Sequence, residues 1–366
     1  MSSTLPETVT PQLAAIAATV AAGGRIADDD ALALLACDDL PSLGQLAEQR
    51  RYQRVPARRV TFIIDRNVNY TNVCITRCKF CAFYRLPGDA AGYVLSHDEI
   101  FAKIDELRAQ GGHQLLLQGG HHPDLHIAWF EELFRALKGR YPDLRLHALS
   151  ASEIQHIARR SHLDLGETIR RLRAAGLDSI PGAGAEILAD RVRSIIAPYK
   201  ESTEGWLAVM REAHRQGLRT SATMMFGTVE SDAEIVAHLR AIRDLQDETG
   251  GFVAFIPWSF QPEHTELPEA TRTSATDYLR ILAVSRVYLD NVDHLQASWV
   301  TQGEKIGQLA LFYGADDMGS TMLEENVVSA AGCTFRLGRE ELGRLIAAAG
   351  FEAALRDQEY RIVGTP

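Results

Sequence analysis

Cysteine is scarce in this chain, with five in 366 residues, which excludes a disulfide-stapled scaffold. At 46% hydrophobic residues the chain can build a large core without such staples. Long apolar runs are missing as well. No stretch approaches the ~18 uninterrupted apolar residues that would span a bilayer. Basic clusters are absent too: Lys and Arg number 38 against 48 Asp and Glu, the net charge is -10, and no patch offers a nucleic-acid surface. The apolar segment 14–22 follows Glu7 and precedes Gly23-Gly24-Arg25, so it reads as a helix and not as a signal peptide. Low-complexity tracts and long linkers do not occur. One catalytic domain with terminal extensions is the simplest account.

What is present is concentrated. Three of the five cysteines stand in Cys74-Ile75-Thr76-Arg77-Cys78-Lys79-Phe80-Cys81. With Cys at roughly one position in 70, that arrangement is an accident of about one in several thousand. Three thiolates on one short loop can hold three irons of a 4Fe-4S cube and leave the fourth iron open to a small molecule. Two other readings compete. Buried structural cysteines would not need this spacing. A zinc-binding or non-catalytic iron–sulfur module would bring a fourth ligand, and within thirty residues only His97 follows. Cys37 and Cys333 have no partner pattern and read as ordinary buried thiols. An oxidation-sensitive triplet without an export signal implies a reducing, cytoplasmic setting. The C-x3-C-x2-C spacing, with Phe80 before the last cysteine, resembles the signature of radical S-adenosylmethionine (SAM) enzymes.

The rest of the chain alternates short β-rich runs with amphipathic stretches. Strands are expected at 60–66, 114–118, 144–149, 177–180, 219–226, 252–258, 294–300 and 315–321. Helical patterns lie at 98–110, 127–140, 165–175, 203–216, 233–249 and 274–289. Eight strands alternating with helices predict an α/β chain folded as a (β/α)8 barrel. The expected organisation is a helical N-terminal extension at 1–58, the barrel at 59–322, and a helical C-terminal extension at 323–366 with a helix at 338–348. In such barrels reacting groups sit at the C-terminal ends of strands. The polar and glycine-rich motifs fall there: the cysteine loop, Gln118-Gly119-Gly120-His121-His122, Ser150-Ala151-Ser152-Glu153, Pro181-Gly182-Ala183-Gly184-Ala185-Glu186, Phe226-Gly227-Thr228-Val229-Glu230 and Trp258-Ser259-Phe260-Gln261.

Each motif has a plain reading beside a functional one. Gly119-Gly120 removes side chains where a ligand would approach, or simply makes a tight turn. Ser150, Ser152 and Glu153 offer hydroxyls and a carboxylate to a ribose or a substrate. Ser-x-x-Glu also reads as a capping box. Glu186 and Arg191 suit the ammonium and carboxylate of a methionine, or form a surface charge pair. His113, His121 and His122 sit near the second strand, where a general base is conceivable. His214 and His238 read as ordinary outer residues.

Longer stretches narrow the resemblance. Asn69-Tyr70-Thr71-Asn72-Val73-Cys74 through Cys81-Ala82-Phe83-Tyr84-Arg85, the segment Leu117 to Leu125, Ala222-Thr223-Met224-Met225-Phe226-Gly227 and the segment Gly250 to Pro262 resemble one radical SAM subgroup. It comprises enzymes of the menaquinone futalosine pathway and of deazaflavin-cofactor assembly. The likeness runs from about residue 58 to the C-terminus. One departure is Ala183, where the family usually has glycine in P-G-G-G-A-E. Another is Thr223, at the first glycine of the family's loose G-x-I-x-G-x-x-E pattern.

The resemblance implies a 4Fe-4S cluster on Cys74, Cys78 and Cys81. It implies SAM held by Phe80, Gly119, Gly120, Ser150, Ser152, Glu153, Glu186, Arg191 and Met225. The implied reaction is cyclisation of dehypoxanthine futalosine. A 5′-deoxyadenosyl radical takes a ribose hydrogen, and the sugar carbon joins the benzoate ring. Trp258 and Phe260 would wall the ring and Gln261 would give a hydrogen bond. A low-potential donor such as flavodoxin or ferredoxin would supply electrons. The sister activity, aminofutalosine synthesis, would add the adenosyl group to an enolpyruvyl ether instead.

Overall fold

The computed structural model describes residues 11–267 and 269–365. Residues 1–10 of the expected N-terminal extension, and residue 366 of the C-terminal one, lie outside the described residues. The first strand, β1 (Arg59–Ile63), bends at Ile64 and continues as β2 (Asp65–Asn69). Six more strands follow β2 in parallel and in chain order: β3 (Gln114–Gln118), β4 (Arg145–Ala148), β5 (Ser179–Ile180), β6 (Arg219–Phe226), β7 (Phe252–Ser259) and β8 (His294–Leu295). The strand β9 (Asp317–Ser320) closes the ring. It pairs parallel to β1 on one edge. On its other edge Asp316 N–H donates to the Leu295 carbonyl (3.1 Å) and Ala297 N–H to the Asp317 carbonyl (2.8 Å). With β1 and β2 as one bent strand, the ring is an eight-stranded β/α barrel.

Local sequence explains where the helices begin. Ser96, Ser150, Ser202 and Ser274 each accept the backbone N–H three residues on, at 3.1–3.3 Å, and so cap the helices that follow. Two N-terminal helices, Asp28–Leu35 and Leu40–Arg54, pack on the barrel helices Asp232–Thr249 and Ala275–Tyr288, and a preceding helix, Pro11–Ala21, packs on those two. Leu40–Arg54 carries weak apolar periodicity and is not legible from it.

Three expectations need amendment. The strand expected at 60–66 is two strands, because β1 faces β9 and the chain's end while β2 faces β3. The strand expected at 294–300 stops at Leu295. The Tyr278 hydroxyl takes the Ser298 N–H (2.7 Å), and Trp299–Leu309 is helical with a break at Gly303. The C-terminal extension contains, besides the helix Arg339–Ala348, two strands, β10 (Glu352–Arg356) and β11 (Ile362–Gly364); β10 pairs parallel to the outer edge of β1.

The link between β10 and β11 plugs the base of the barrel. Arg356 forms a buried two-point pair with Asp317, at 2.6 and 3.0 Å. Gln358 meets His147 (3.3 Å), and Tyr360 stacks on His294 with ring centroids 3.8 Å apart. Among the described residues no helix is long and apolar enough to cross a membrane.

Candidate active site

A cavity of about 400 Å³ runs through the barrel from the base plug to the strand C-termini. That volume accommodates a small organic ligand. Cys74, Cys78, Cys81, Phe80, Gly119, Gly120, Ser150, Ser152, Glu153, Glu186 and Trp258 all line it, so motifs from separate strands share one site.

Backbone bonds pin the cysteine loop. Cys74 N–H donates to the Arg85 carbonyl (2.9 Å), Ile75 N–H to His121 (3.2 Å) and Lys79 N–H to Ile196 (2.8 Å), while the Lys79 carbonyl accepts Glu266 N–H (2.8 Å). All three cysteines are free thiols. Burial pushes the Cys78 and Cys81 thiols up, and both also feel Cys74, so the three sulfurs share one neighbourhood. Among the described residues no three His, Cys, Asp or Glu side chains converge on a point as ligands of one ion would. Thiols that each take a different iron of a cube do not need to. The donor set, its shared cavity wall and the free thiols fit a 4Fe-4S cluster with one open iron.

Gly119 and Gly120 are fixed by packing. A Cβ on Gly119 would lie 2.6 Å from the Tyr70 ring, and one on Gly120 would lie 2.2 Å from the Val73 carbonyl oxygen and 2.9 Å from Cys74 Cβ. The pair therefore lets β3 press against the cysteine loop. Gly120→Ala is expected to cost roughly 1–3 kcal/mol by overpacking and to lower iron incorporation by displacing the loop. Gly139, on an exposed helix turn with nothing within 4 Å of its added Cβ, is the control; its alanine variant should be neutral or slightly stabilising. Equal denaturation midpoints for the two variants would remove this account of Gly120.

Glu153 resolves the capping-box question. Its carboxylate accepts from Ser150 N–H and Oγ (2.7 Å each), Gly119 N–H (2.9 Å) and the Tyr70 hydroxyl (2.8 Å). Burial pushes its pKa up against those bonds. The box ties the helix Ala151–Arg160 to the glycine pair. Ser152 donates to Glu201 (2.7 Å).

Glu186 lies at positive φ (43°) and pairs with buried Lys200, Oε1 to Nζ 2.7 Å. Burial opposes the Lys200 charge, but Glu186 and Cys78 outweigh it and hold the ammonium above its usual range. Lys200 also sits 5.7 Å from the centre of the Phe80 ring. It was not foreseen from sequence, because it belongs to no strand end and no motif. Ala183 makes no demand for glycine: the positive φ angles of its loop fall on Gly184 (87°) and Glu186, and the Ala183 carbonyl accepts the Trp206 indole N–H (3.3 Å).

Four expected site residues lie elsewhere. Arg191 is on the surface, paired with Glu234 (2.5 Å) and the Val229 carbonyl (2.7 Å), and does not meet Glu186. Met225 and Phe260 are buried in the core and do not line the cavity; Thr223, two residues earlier on β6, does. Gln261 turns its amide onto Ser259 and the Phe260 carbonyl (3.1–3.2 Å) and accepts from the Cys333 thiol (3.4 Å).

Of the histidines, His113 is exposed beside Asp143, and the His122 ring accepts the Asp124 N–H (3.1 Å). His121 lines the cavity, stacked on His156 with centroids 4.9 Å apart; burial holds it neutral. His214 and His238 are not outer residues. His238 is buried and accepts Leu188 N–H (3.0 Å), while His214 bridges Thr249 and Thr220 at 2.7 Å each.

Comparison with known proteins gives a consistent result. Residues 68–242 match the radical SAM superfamily, and residues 249–366 match the CofH/MqnC C-terminal region. The chain is 50% identical to cyclic dehypoxanthine futalosine synthase of Streptomyces coelicolor, across 93% of this chain and 86% of that protein. The enzyme of the same name from Halalkalibacterium halodurans is 44% identical, across 94% of this chain and 93% of that protein. Aminodeoxyfutalosine synthase of Thermus thermophilus is 40% identical, across 96% of each. In fold, the chain matches methylornithine synthase with a TM-score of 0.73 at 20% identity, over 93% of this chain and 97% of that one.

Proposed function

This chain belongs to the radical SAM superfamily, in the branch that ends in a CofH/MqnC C-terminal region, and we propose that it cyclises dehypoxanthine futalosine in menaquinone biosynthesis. The observation that carries the reading is 50% identity, sustained over nearly the whole chain, to an enzyme of that name, against 40% to the sister synthase. Enzymes of this superfamily use a 4Fe-4S cluster and SAM, which together supply the 5′-deoxyadenosyl radical that takes a hydrogen atom from substrate.

The chain's own residues do the rest. Cys74, Cys78 and Cys81 would hold three irons, and the Lys200–Glu186 pair offers an ammonium and a carboxylate to the two charges of a methionine. Phe80, between two cysteines, gives an apolar face for an adenine. Glu153 holds Gly119 and the capped helix in place, so the backbone beside the cysteine loop stays fixed. The closed barrel and its base plug shield a reactive carbon radical from water. Trp258 lines the cavity and gives an aryl ring something to stack on. A small low-potential protein, flavodoxin or ferredoxin, would deliver the electron.

The test is an anaerobic incubation with SAM, dithionite and each candidate substrate. With dehypoxanthine futalosine, free 5′-deoxyadenosine should accumulate alongside a cyclised product, and deuterium placed at the abstracted ribose position should appear in the 5′-deoxyadenosine. Incorporation of the adenosyl group into an enolpyruvyl benzoate ether would assign the sister activity instead.

A further inference from the structure

The wall of the cavity has two chemical halves. On β7, the inward residues Ala254, Ile256 and Trp258 form an apolar face. On the adjoining arc, β8 through β2 to β3, the cavity is lined by polar side chains, amides alongside the carboxylates of Asp65 and Glu325. Gln296 follows β8, Asn67 stands on β2 and Gln118 ends β3. Among the described residues the side-chain amides of Gln118 and Gln296 make no hydrogen bond, although both are partly buried. Asn67 donates its N–H to Glu325 (3.2 Å), which leaves its carbonyl oxygen buried and unpartnered. The Asn67 oxygen is thus withdrawn from water without a partner, which is costly, while the Gln118 and Gln296 amides face the cavity with their donors and acceptors unused.

We infer that this arc is the substrate's sugar site: Gln118 and Gln296, with Asn67 beside them, take the ribose hydroxyls, while the benzoyl ring lies on Ile256 and Trp258. The assignment rests on the substrate proposed above. Amides suit hydroxyls because each side has a donor and an acceptor. An anion would seek a cation instead, and the cation on this side of the cavity, Arg356, is already matched to Asp317. The layout also sets the two reacting parts of one molecule on neighbouring walls, which the joining of a sugar carbon to an aryl ring requires.

Equilibrium dialysis under nitrogen tests this, using cluster-loaded enzyme with SAM and no reductant, so that nothing turns over. The ligands are dehypoxanthine futalosine and its 2-deoxy and 3-deoxy sugar forms. At least one deoxy form should bind wild-type enzyme about tenfold more weakly, the worth of one hydrogen bond. Gln118→Ala and Gln296→Ala should each weaken the parent compound by about tenfold. The variant that lost the matching amide should show no further loss with that deoxy form. If both deoxy forms bind wild type as tightly as the parent, the assignment is overturned without reference to any variant. If both variants keep the parent's affinity, it is overturned as well. Failure of wild-type enzyme to bind the parent at all, with the enolpyruvyl ether bound in its place, removes the function proposed above and the sugar site with it.

Discussion

Replacing Cys78 with alanine should reduce bound iron and sulfide to background and abolish SAM cleavage, leaving the barrel folded. The loss should exceed the ~100-fold that changes around a metal site usually cost, because a ligand is removed and not its support. Cys78 is the most buried of the three thiols, and its neighbourhood already holds Cys74, Cys81 and the Lys200 ammonium. Two thiols cannot anchor the cube in one orientation, so the iron that would bind SAM loses its fixed position. Stability should change little, since alanine keeps the small apolar volume and, among the described residues, no hydrogen bond runs through the Cys78 sulfur. The loop is held instead by main-chain bonds to Arg85, His121 and Ile196. Iron analysis and an anaerobic absorption spectrum of the reconstituted variant, beside its thermal unfolding curve, check both halves. A variant that retains a full complement of iron and the wild-type spectrum would rule out Cys78 as a ligand.

The cysteine loop was legible because its information is local: three residue types at fixed offsets on one short segment. The β/α alternation was legible for a similar reason, since each strand and helix carries its own periodicity. Lys200 was not. It lies in the segment after a short helix, 14 residues from Glu186, and only folding brings the two charges together. Arg191 stands nearer to Glu186 in sequence, but its helix turns it outward to Glu234. Met225 and Phe260 failed in another way. A strand end near a site carries apolar residues for both the core and the cavity, and sequence alone does not say which side each serves. Gln118 illustrates the converse. It was seen as part of a motif, yet its unpartnered amide becomes visible only when the wall of the cavity is assembled. The β-strands of the C-terminus escaped because Glu352–Arg356 is too short to show a period and pairs with a strand some 290 residues earlier.

Arg356→Leu should lower stability by ~3–5 kcal/mol, the usual cost of stripping one partner from a buried ion pair. Arg356 and Asp317 are both almost wholly buried. Burial disfavours the Arg356 charge, and Asp317 more than compensates. The carboxylate is also held by the Thr61 hydroxyl (2.5 Å) and Gly319 N–H (2.7 Å), and the guanidinium lies 4.0 Å from the Tyr360 ring centre. These contacts join β9, β1 and the base plug at the seam where the barrel closes. Removing the guanidinium leaves the Asp317 carboxylate buried with two neutral donors, which cannot offset its desolvation. For a chain of this length the unfolding midpoint should fall by about 5 °C. Amide exchange should quicken first along 317–321 and 352–356, ahead of β3 and β4. Replacing both partners with leucine should cost less than Arg356→Leu alone, because no charge is then stranded. A double variant as unstable as the two single losses added together would show that the pair acts through packing and not through charge. An unchanged midpoint in Arg356→Leu would mean that the seam is held by the strand bonds of β9 alone.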